Sequence, residues 1–125
     1  MTERHHDQSE TRDQLAFADE IGIAPIRPDG TLSSFTTIWM VRVGDALYVR
    51  SYRGPHGYWY SNAHRTRHGR VRADGIEVDV TFDDATDVSP AAVDEAYRAK
   101  YGNSSYVDAM LAAGAAATTL KVTPS

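Results

Sequence analysis

Residues 36–53, TTIWMVRVGDALYVRSYR, predict the hairpin on which the fold depends. Two runs rich in β-branched and aromatic residues, 36–43 and 46–53, are separated only by Gly44-Asp45. A glycine-first loop of two residues is typical of a type II′ hairpin turn. Such a loop fixes the register, and opposed residues share one face of the sheet. The expected pairs are Val43 with Ala46, Val41 with Tyr48, Trp39 with Arg50, and Thr37 with Tyr52.

The two faces of this hairpin differ in chemistry. One face has ordinary core residues: Ile38, Met40, Leu47 and Val49. The opposite face is too polar for a core and too aromatic for a solvated surface: Trp39, Tyr48, Arg50 and Tyr52. Two interpretations of the second face stay open. It is either a layer covered by a helix, with Trp39 stacked on Arg50 as a cation–π pair, or a platform for a ligand.

The segment 46–73 concentrates positive charge in a protein whose formal net charge is −4. It holds six arginines and three of the five histidines, interleaved with tyrosine and tryptophan, but neither Asp nor Glu. Guanidinium groups pair with phosphate oxygens, and aromatic faces offer a stacking surface. The segment therefore favours a planar or phosphorylated anionic ligand. The alternative is a solvated basic surface that pairs with acidic residues elsewhere.

Composition excludes several classes of protein. The chain of 125 residues has no cysteine, so disulfides and thiolate metal sites are ruled out. A pI of about 5.6 argues against a nucleic-acid binder. The sequence shows neither a signal peptide nor an apolar run long enough to span a membrane, so we expect a cytoplasmic protein. His64 and His68 have no acidic neighbour, and we predict no metal site. We expect a flexible tail over residues 1–10 and one domain over residues 11–125.

The remaining pattern alternates strands and helices. A capping box at Thr11 opens a helix, residues 20–26 read as an edge strand, and residues 58–67 can form a helix. Asp74-Gly75 predicts a second hairpin between 69–73 and 76–82. Ser89-Pro90 starts a helix that ends at Gly102, and a helix at 105–111 and a strand at 118–123 follow.

The second hairpin narrows the candidate ligand contacts. Its register places Arg70 opposite Asp79 and Arg72 opposite Glu77, so both arginines have carboxylate partners. Arg50 and Arg53 have no such local partner. The ligand hypothesis therefore concerns the first hairpin, the loop after it and the Trp59-Tyr60 pair.

Three runs resemble a small bacterial domain family of unassigned function: 38–45, 47–55 and 96–102. The order of elements and the tetrapeptide Trp59-Tyr60-Ser61-Asn62 also resemble the deazaflavin-dependent nitroreductase group of the FMN-binding split-barrel superfamily. This resemblance implies an α+β fold, a small split β-barrel of about six antiparallel strands with three to four short helices. It also implies a homodimer and a flavin- or deazaflavin-dependent reductase.

Carried over to this chain, the resemblance implies seven cofactor contacts. Four are phosphate or ring contacts, Arg50, Ser51, Tyr52 and Arg53, and three shape the pocket, Trp39, Trp59 and Tyr60. The cofactor would be FMN or a deazaflavin, and no catalytic side chain is implied. The loop at 27–30 departs from the pattern because it has a single basic residue. The alternatives are a non-catalytic binding module for a small anionic ligand and a cofactor-free dimerisation domain.

Overall fold

A computed structural model describes residues 8–102 and 104–125. Within them the protein is an α+β split barrel, a curled antiparallel sheet of seven strands with five α-helices, which confirms the predicted fold class. The strands are β1 Ile21–Pro25, β2 Thr36–Ile38, β3 Met40–Val43, β4 Ala46–Val49, β5 His68–Ala73, β6 Ile76–Asp84 and β7 Leu120–Pro124. The helices are α1 Gln8–Phe17, α2 Tyr58–Thr66, α3 Pro90–Tyr101, α4 Val107–Leu111 and α5 Ala113–Ala116, and a 3₁₀ turn covers Gly54–His56.

The first predicted hairpin is interrupted at Trp39. Val43 pairs with Ala46 and Val41 with Tyr48, as predicted, and Gly44 has a positive φ of 62°. The predicted pairing of Thr37 with Tyr52 is wrong, because β2 leaves β4 and pairs with β1, where Thr37 faces Gly22. The sheet order is β2-β1-β5-β6-β7-β4-β3, so β2 and β3 lie at opposite edges although only Trp39 separates them in the chain. Because two strands that follow each other in the chain form opposite edges of the sheet, the sheet curls into a barrel that brings these edges together.

The second hairpin follows its predicted register. Val71 pairs with Val78, and Asp74 and Gly75 both have positive φ, 50° and 84°, as a type I′ turn requires. The Arg70 guanidinium lies 2.8 Å from the Asp79 carboxylate and 3.0 Å from that of Glu77. The expected ion pair of Arg72 is not formed, because its guanidinium stacks 4.0 Å from the Phe35 ring.

Two apolar clusters lie on the two faces of the sheet. The interior of the barrel contains the core face predicted for the first hairpin, where Met40, Leu47 and Val49 are fully buried. The outer face of the same hairpin is covered by α3 and α4, and Tyr48 packs there with Val41 and Tyr97. For Tyr48, the interpretation as a layer covered by a helix is therefore correct.

Several predicted boundaries are corrected. Helix α1 already includes Gln8, so Thr11 lies inside it rather than at a cap, and three residues of the expected tail are helical. The rest of that tail, residues 1–7, lies outside the described residues. Strand β1 is flanked by β2 and β5 and is not an edge. Helix α4 starts at Val107 rather than at residue 105, and no side chain caps it.

Helix α3 begins as predicted. The Ser89 hydroxyl accepts a hydrogen bond of 3.1 Å from the Ala92 amide, and Pro90 occupies the first helical position. None of the helices in the described part of the chain is long and apolar enough to cross a membrane.

Candidate functional site

A cavity of about 620 Å³ lies where the bend between β2 and β3 meets the end of β4 and the start of α2. Helix α4 contributes to its lining. Six of the seven predicted contacts line it: Trp39, Arg50, Ser51, Tyr52, Arg53 and Trp59. A cavity of this size is in the range that holds a cofactor or a drug-sized ligand.

Arg50 lines the cavity, but its guanidinium is hydrogen-bonded to other residues of the protein. It is 1% exposed, and its Nη1 lies 2.6 Å from an Asp94 carboxylate oxygen and 3.0 Å from the Met110 carbonyl. Its Nε donates to the Thr119 hydroxyl at 2.9 Å. Arg50 has no carboxylate partner close to it in the sequence, as expected, but Asp94 reaches it from α3, 44 positions away. Its main role in this geometry is to hold α3 and α4 against the sheet.

Trp39 forms a rigid wall of the cavity. Its ring stacks on that of Tyr101 with centroids 4.0 Å apart and planes 3° apart. The cation–π pair of Trp39 with Arg50, which belonged to the interpretation as a helix-covered layer, is not formed. The Arg50 guanidinium lies over the Tyr97 ring instead, 5.6 Å from its centroid. Tyr101 thus supports the Trp39 ring, which lines the cavity.

The support behind Trp39 is partly buried and polar. The Tyr101 hydroxyl donates to the Asp19 carbonyl at 2.7 Å, and burial raises the pKa of this phenol. The neighbouring Lys100 donates to the Met40 carbonyl at 2.7 Å. Burial lowers the pKa of the Lys100 ammonium to about 8, against a smaller opposing effect of Asp19.

Ser51 is a buried residue that lines the cavity. The residue is 1% exposed, and its backbone amide donates to the Thr118 hydroxyl at 2.8 Å. Its own hydroxyl has no hydrogen-bond partner among residues 8–102 and 104–125. No nucleophile–base pair is therefore assembled there.

The mouth of the cavity is lined by exposed aromatic and basic side chains. Tyr52 and Tyr106 meet edge to face with centroids 6.3 Å apart, and Arg53 and His56 lie nearby in the lining. Arg53 is exposed and makes neither a hydrogen bond nor an ion pair within the described ranges.

Tyr58, at the same mouth, contacts the loop that precedes β2. Its hydroxyl lies 3.4 Å from the Arg27 Nε, and this donor lowers the pKa of the Tyr58 phenol. Arg27 is the single basic residue of the loop at 27–30, and it also donates to the Leu32 carbonyl at 2.8 Å.

Tyr60 is placed differently from the expectation. It packs against the interior cluster of the barrel, and its ring stacks on His64 at 5.4 Å. Consecutive residues of a helix point in different directions, so Trp59 reaches the cavity and Tyr60 does not. His64 lies in α2 and His68 in β5, and the described residues contain no cluster of three or more potential metal ligands.

The sequence did not indicate the contribution of α4 and β2. Tyr106, Met110, Thr36 and Thr37 line the cavity, and so does Glu20 before β1. No local pattern marks these residues, because long-range packing brings them to the site. The Arg50 bond to the Met110 carbonyl, across 60 positions, is one such contact.

Comparison with known proteins places the chain in a fold and a family. The model of a family described as "Uncharacterized protein conserved in bacteria (DUF2255)" matches residues 12–122. No curated protein matches the sequence.

Solved structures with low sequence identity share the fold. A conserved hypothetical protein, Rv2991 from Mycobacterium tuberculosis, has a TM-score of 0.59 and 13% identity, over 97% of this chain and 83% of its own. A protein described as an F420 reductase has a TM-score of 0.55 and 18% identity, over 91% and 92%. A putative 5-nitroimidazole antibiotic resistance protein from Bacteroides thetaiotaomicron has a TM-score of 0.54 and 16% identity, over 96% and 81%.

Proposed function

We propose that the cavity of this chain, which belongs to the bacterial DUF2255 family, binds the planar ring of a flavin or a deazaflavin. The fold that the chain shares with an F420 reductase supports this proposal. The protein would then act as a flavin- or deazaflavin-dependent reductase. The observation that carries the proposal is that Trp39, Tyr52, Trp59 and Ser51 line one and the same cavity. Flat aromatic walls with few polar groups suit a planar heterocycle.

Each predicted contact has a different role in this proposal. Trp39, held by Tyr101, and Trp59, at the start of α2, would be the rigid ring contacts. Tyr52 and Arg53 are exposed at the mouth and would contact the outer part of the ligand. Arg50 would fix the floor of the cavity through Asp94 and Met110. Tyr60, which packs in the barrel interior, would support Trp59 from behind, with ring centroids 6.1 Å apart.

The chemistry of such a site comes from the bound cofactor. A flavin or a deazaflavin supplies hydride transfer, and the protein supplies binding and orientation. This division is compatible with a cavity in which no acid–base pair is formed between the described side chains.

The test is a binding titration of the purified protein. We expect FMN or a deazaflavin to bind with quenching of the fluorescence of Trp39 and Trp59. Tyr52→Ala should weaken the binding, by on the order of 5-fold for the loss of one exposed aromatic contact. Phe17→Ala is the matched control, since Phe17 is an aromatic residue that is 82% exposed in α1 and does not line the cavity. Absence of binding of both ring systems at millimolar concentration would contradict the proposal.

One observation favours a second function, self-association. Three tyrosines are largely exposed around the mouth, Tyr52 at 56%, Tyr58 at 64% and Tyr106 at 62%. We propose that a second copy of the chain covers this rim, as a homodimer with or without a cofactor. Analytical ultracentrifugation of the native protein and of Tyr106→Asp should then show a dimer and a monomer, respectively. A native protein that is monomeric at micromolar concentration would contradict this proposal.

A further inference from the structure

We propose that a second cavity, at the other end of β4 from the candidate site, binds a small carboxylate with an apolar chain, and that Arg12 of α1 holds the carboxylate. This cavity of about 480 Å³ lies between α1, the turn of the first hairpin, the loop before α3 and β7. None of the described residues lines both cavities. The inference is therefore independent of the proposed cofactor.

Arg12 is a half-buried cation without a partner. Its guanidinium makes neither a hydrogen bond nor an ion pair with any residue that the structure describes. Its Nε is the one buried side-chain nitrogen or oxygen left unpaired in those residues. The adjacent carboxylate, Asp13, pairs with Arg42 instead. A partly desolvated charge of this kind costs free energy unless an anion offsets it, so Arg12 indicates a ligand of opposite charge.

The end of the Arg12 side chain is within reach of the cavity. The Nε is enclosed, but the two Nη atoms are not, and Arg12 belongs to the lining. The Nη atoms are therefore the donors that a ligand would contact. A guanidinium presents its N–H groups as a planar fork, which matches the two oxygens of a carboxylate.

The other charged groups of the described lining are already compensated. The Lys121 Nζ lies 2.7 Å from the Asp87 carboxylate, and the Tyr48 hydroxyl donates to the same carboxylate at 3.1 Å. The hydrogen bond from Lys121 is the main cause that lowers the pKa of Asp87, so this carboxyl stays ionised and paired at neutral pH. The side chain of Asp45 is 96% exposed and hydrated. Arg12 thus carries the uncompensated charge.

The rest of the lining favours a ligand that is apolar beyond its charged group. Val43, Ala46 and Val88 are partly buried against the apolar cluster on the outer face of the sheet, and they also line the cavity. Each methylene that a ligand buries against such side chains tightens binding by about 4-fold. Inorganic phosphate has no group for these walls. A carboxylate with an alkyl chain matches both the guanidinium and the apolar side chains.

The experiment uses hexanoate as the probe and isothermal titration calorimetry as the measurement. Hexanamide has nearly the same shape without the charge, and native protein should bind hexanoate at least about 10-fold more tightly, as expected for charge-assisted hydrogen bonds. Butyrate, which is two methylenes shorter than hexanoate, should bind on the order of 10-fold more weakly than hexanoate. Equal Kd values for hexanoate and hexanamide would overturn the site. Tighter binding of inorganic phosphate than of hexanoate would overturn the assignment to a carboxylate.

Two variants should change the affinity in opposite directions. Arg12→Met keeps an apolar stem and should remove the preference for hexanoate over hexanamide. Asp87→Asn removes a negative charge from the lining and should strengthen hexanoate binding by about 3-fold. The control is Arg98→Gln in α3, where the arginine side chain is 56% exposed and does not line the cavity, and it should change neither Kd. A preference for hexanoate that survives Arg12→Met would contradict the inference. If Arg12→Met does not fold, Asp87→Asn and the probes on native protein decide.

NMR spectroscopy shows in which cavity the carboxylate binds. The Arg12 Nε–H signal should shift when hexanoate is added and not when hexanamide is added. The indole N–H signals of Trp39 and Trp59, in the candidate site, should not respond to hexanoate. A response of the two indole signals in place of that of Arg12 would put the carboxylate in the first cavity and overturn the second site.

Discussion

Replacing Arg50 by methionine should destabilise the protein by about 3 kcal/mol, because Arg50 is a structural residue beneath the cavity. Removing one partner of a buried ion pair typically costs about 3–5 kcal/mol. The lower end applies here, since the Asp94 side chain is 26% exposed and stays partly hydrated. The Met110 carbonyl and the Thr119 hydroxyl would also lose their donor. Methionine keeps the volume of the aliphatic stem and avoids a large void.

Urea denaturation followed by circular dichroism measures this loss. Asp94→Asn should cost at least as much, about 3–5 kcal/mol, because the fully buried Arg50 guanidinium would keep its charge without a carboxylate partner. Arg65→Met, on the exposed side of α2, is the control and should change the free energy of unfolding by less than about 0.5 kcal/mol.

One result would refute this role for Arg50. If Arg50→Met unfolded at the same urea concentration as the native protein but lost affinity for FMN or phosphate, the guanidinium would be a ligand contact. The bonds to Asp94 and Met110 would then be dispensable for folding.

Three further predictions concern stability. Gly69→Ala should lower the free energy of unfolding by about 2–3 kcal/mol in urea denaturation, because the added Cβ would lie 2.6 Å from the Ala24 carbonyl oxygen. Gly114→Ala, with open space around it, is the control. Equal stabilities of the two variants would contradict the steric argument. Ser89→Ala should lower the free energy of unfolding by about 1 kcal/mol through loss of the cap on α3, whereas Ser61→Ala, at an exposed position in α2, should be nearly neutral. The pKa of Lys100 is lower in the folded protein, about 8, than in the unfolded chain, so the unfolded state binds more protons above pH 8 and stability should rise from there towards pH 10. Lys100→Met should abolish this rise in pH-dependent denaturation, and an unchanged profile would show that burial does not perturb the ammonium group.

Local signals in the sequence were sufficient for the second hairpin and for α3. Asp74-Gly75 adopts the positive φ values that its turn type needs, and the register of β5 on β6 then follows residue by residue. Ser89 and Pro90 likewise start a helix within a few positions of themselves. In both cases the interactions that decide the structure join residues close in sequence.

In the first hairpin, only the strand pairs close to the turn were predicted correctly. Pairing holds from Val43 to Met40 and then stops, because β2 finds a partner in β1. Such a partner, 13 to 17 positions away in the chain, leaves no mark in the alternation of side chains. The sequence pattern of the hairpin is therefore compatible with pairing of residues 36–38 either to β4 or to β1.

The partner of Arg50 could not be predicted for the same reason, because it also lies far away in the sequence. Neighbouring residues offer it no carboxylate, and the sequence therefore indicated a free guanidinium for a ligand. Asp94 lies 44 positions away and reaches Arg50 only after α3 packs on the outer face of the sheet. Six of the cavity residues could be predicted from the first hairpin, the residues after it and Trp59, but whether each side chain is free or already paired depends on tertiary packing.

The bend at Trp39 explains why the cavity lies where it does. Strands β2 and β3 pair with different partners, so the chain leaves the ladder at Trp39. Helix α3 supplies hydrogen bonds there: the Tyr97 hydroxyl donates to the Trp39 carbonyl at 3.3 Å, and Lys100 donates to that of Met40. Released from the ladder, the Trp39 ring stacks on Tyr101 and also lines the cavity. The bend at Trp39, from which the chain continues to the opposite edge of the sheet, therefore also forms a wall of the candidate site.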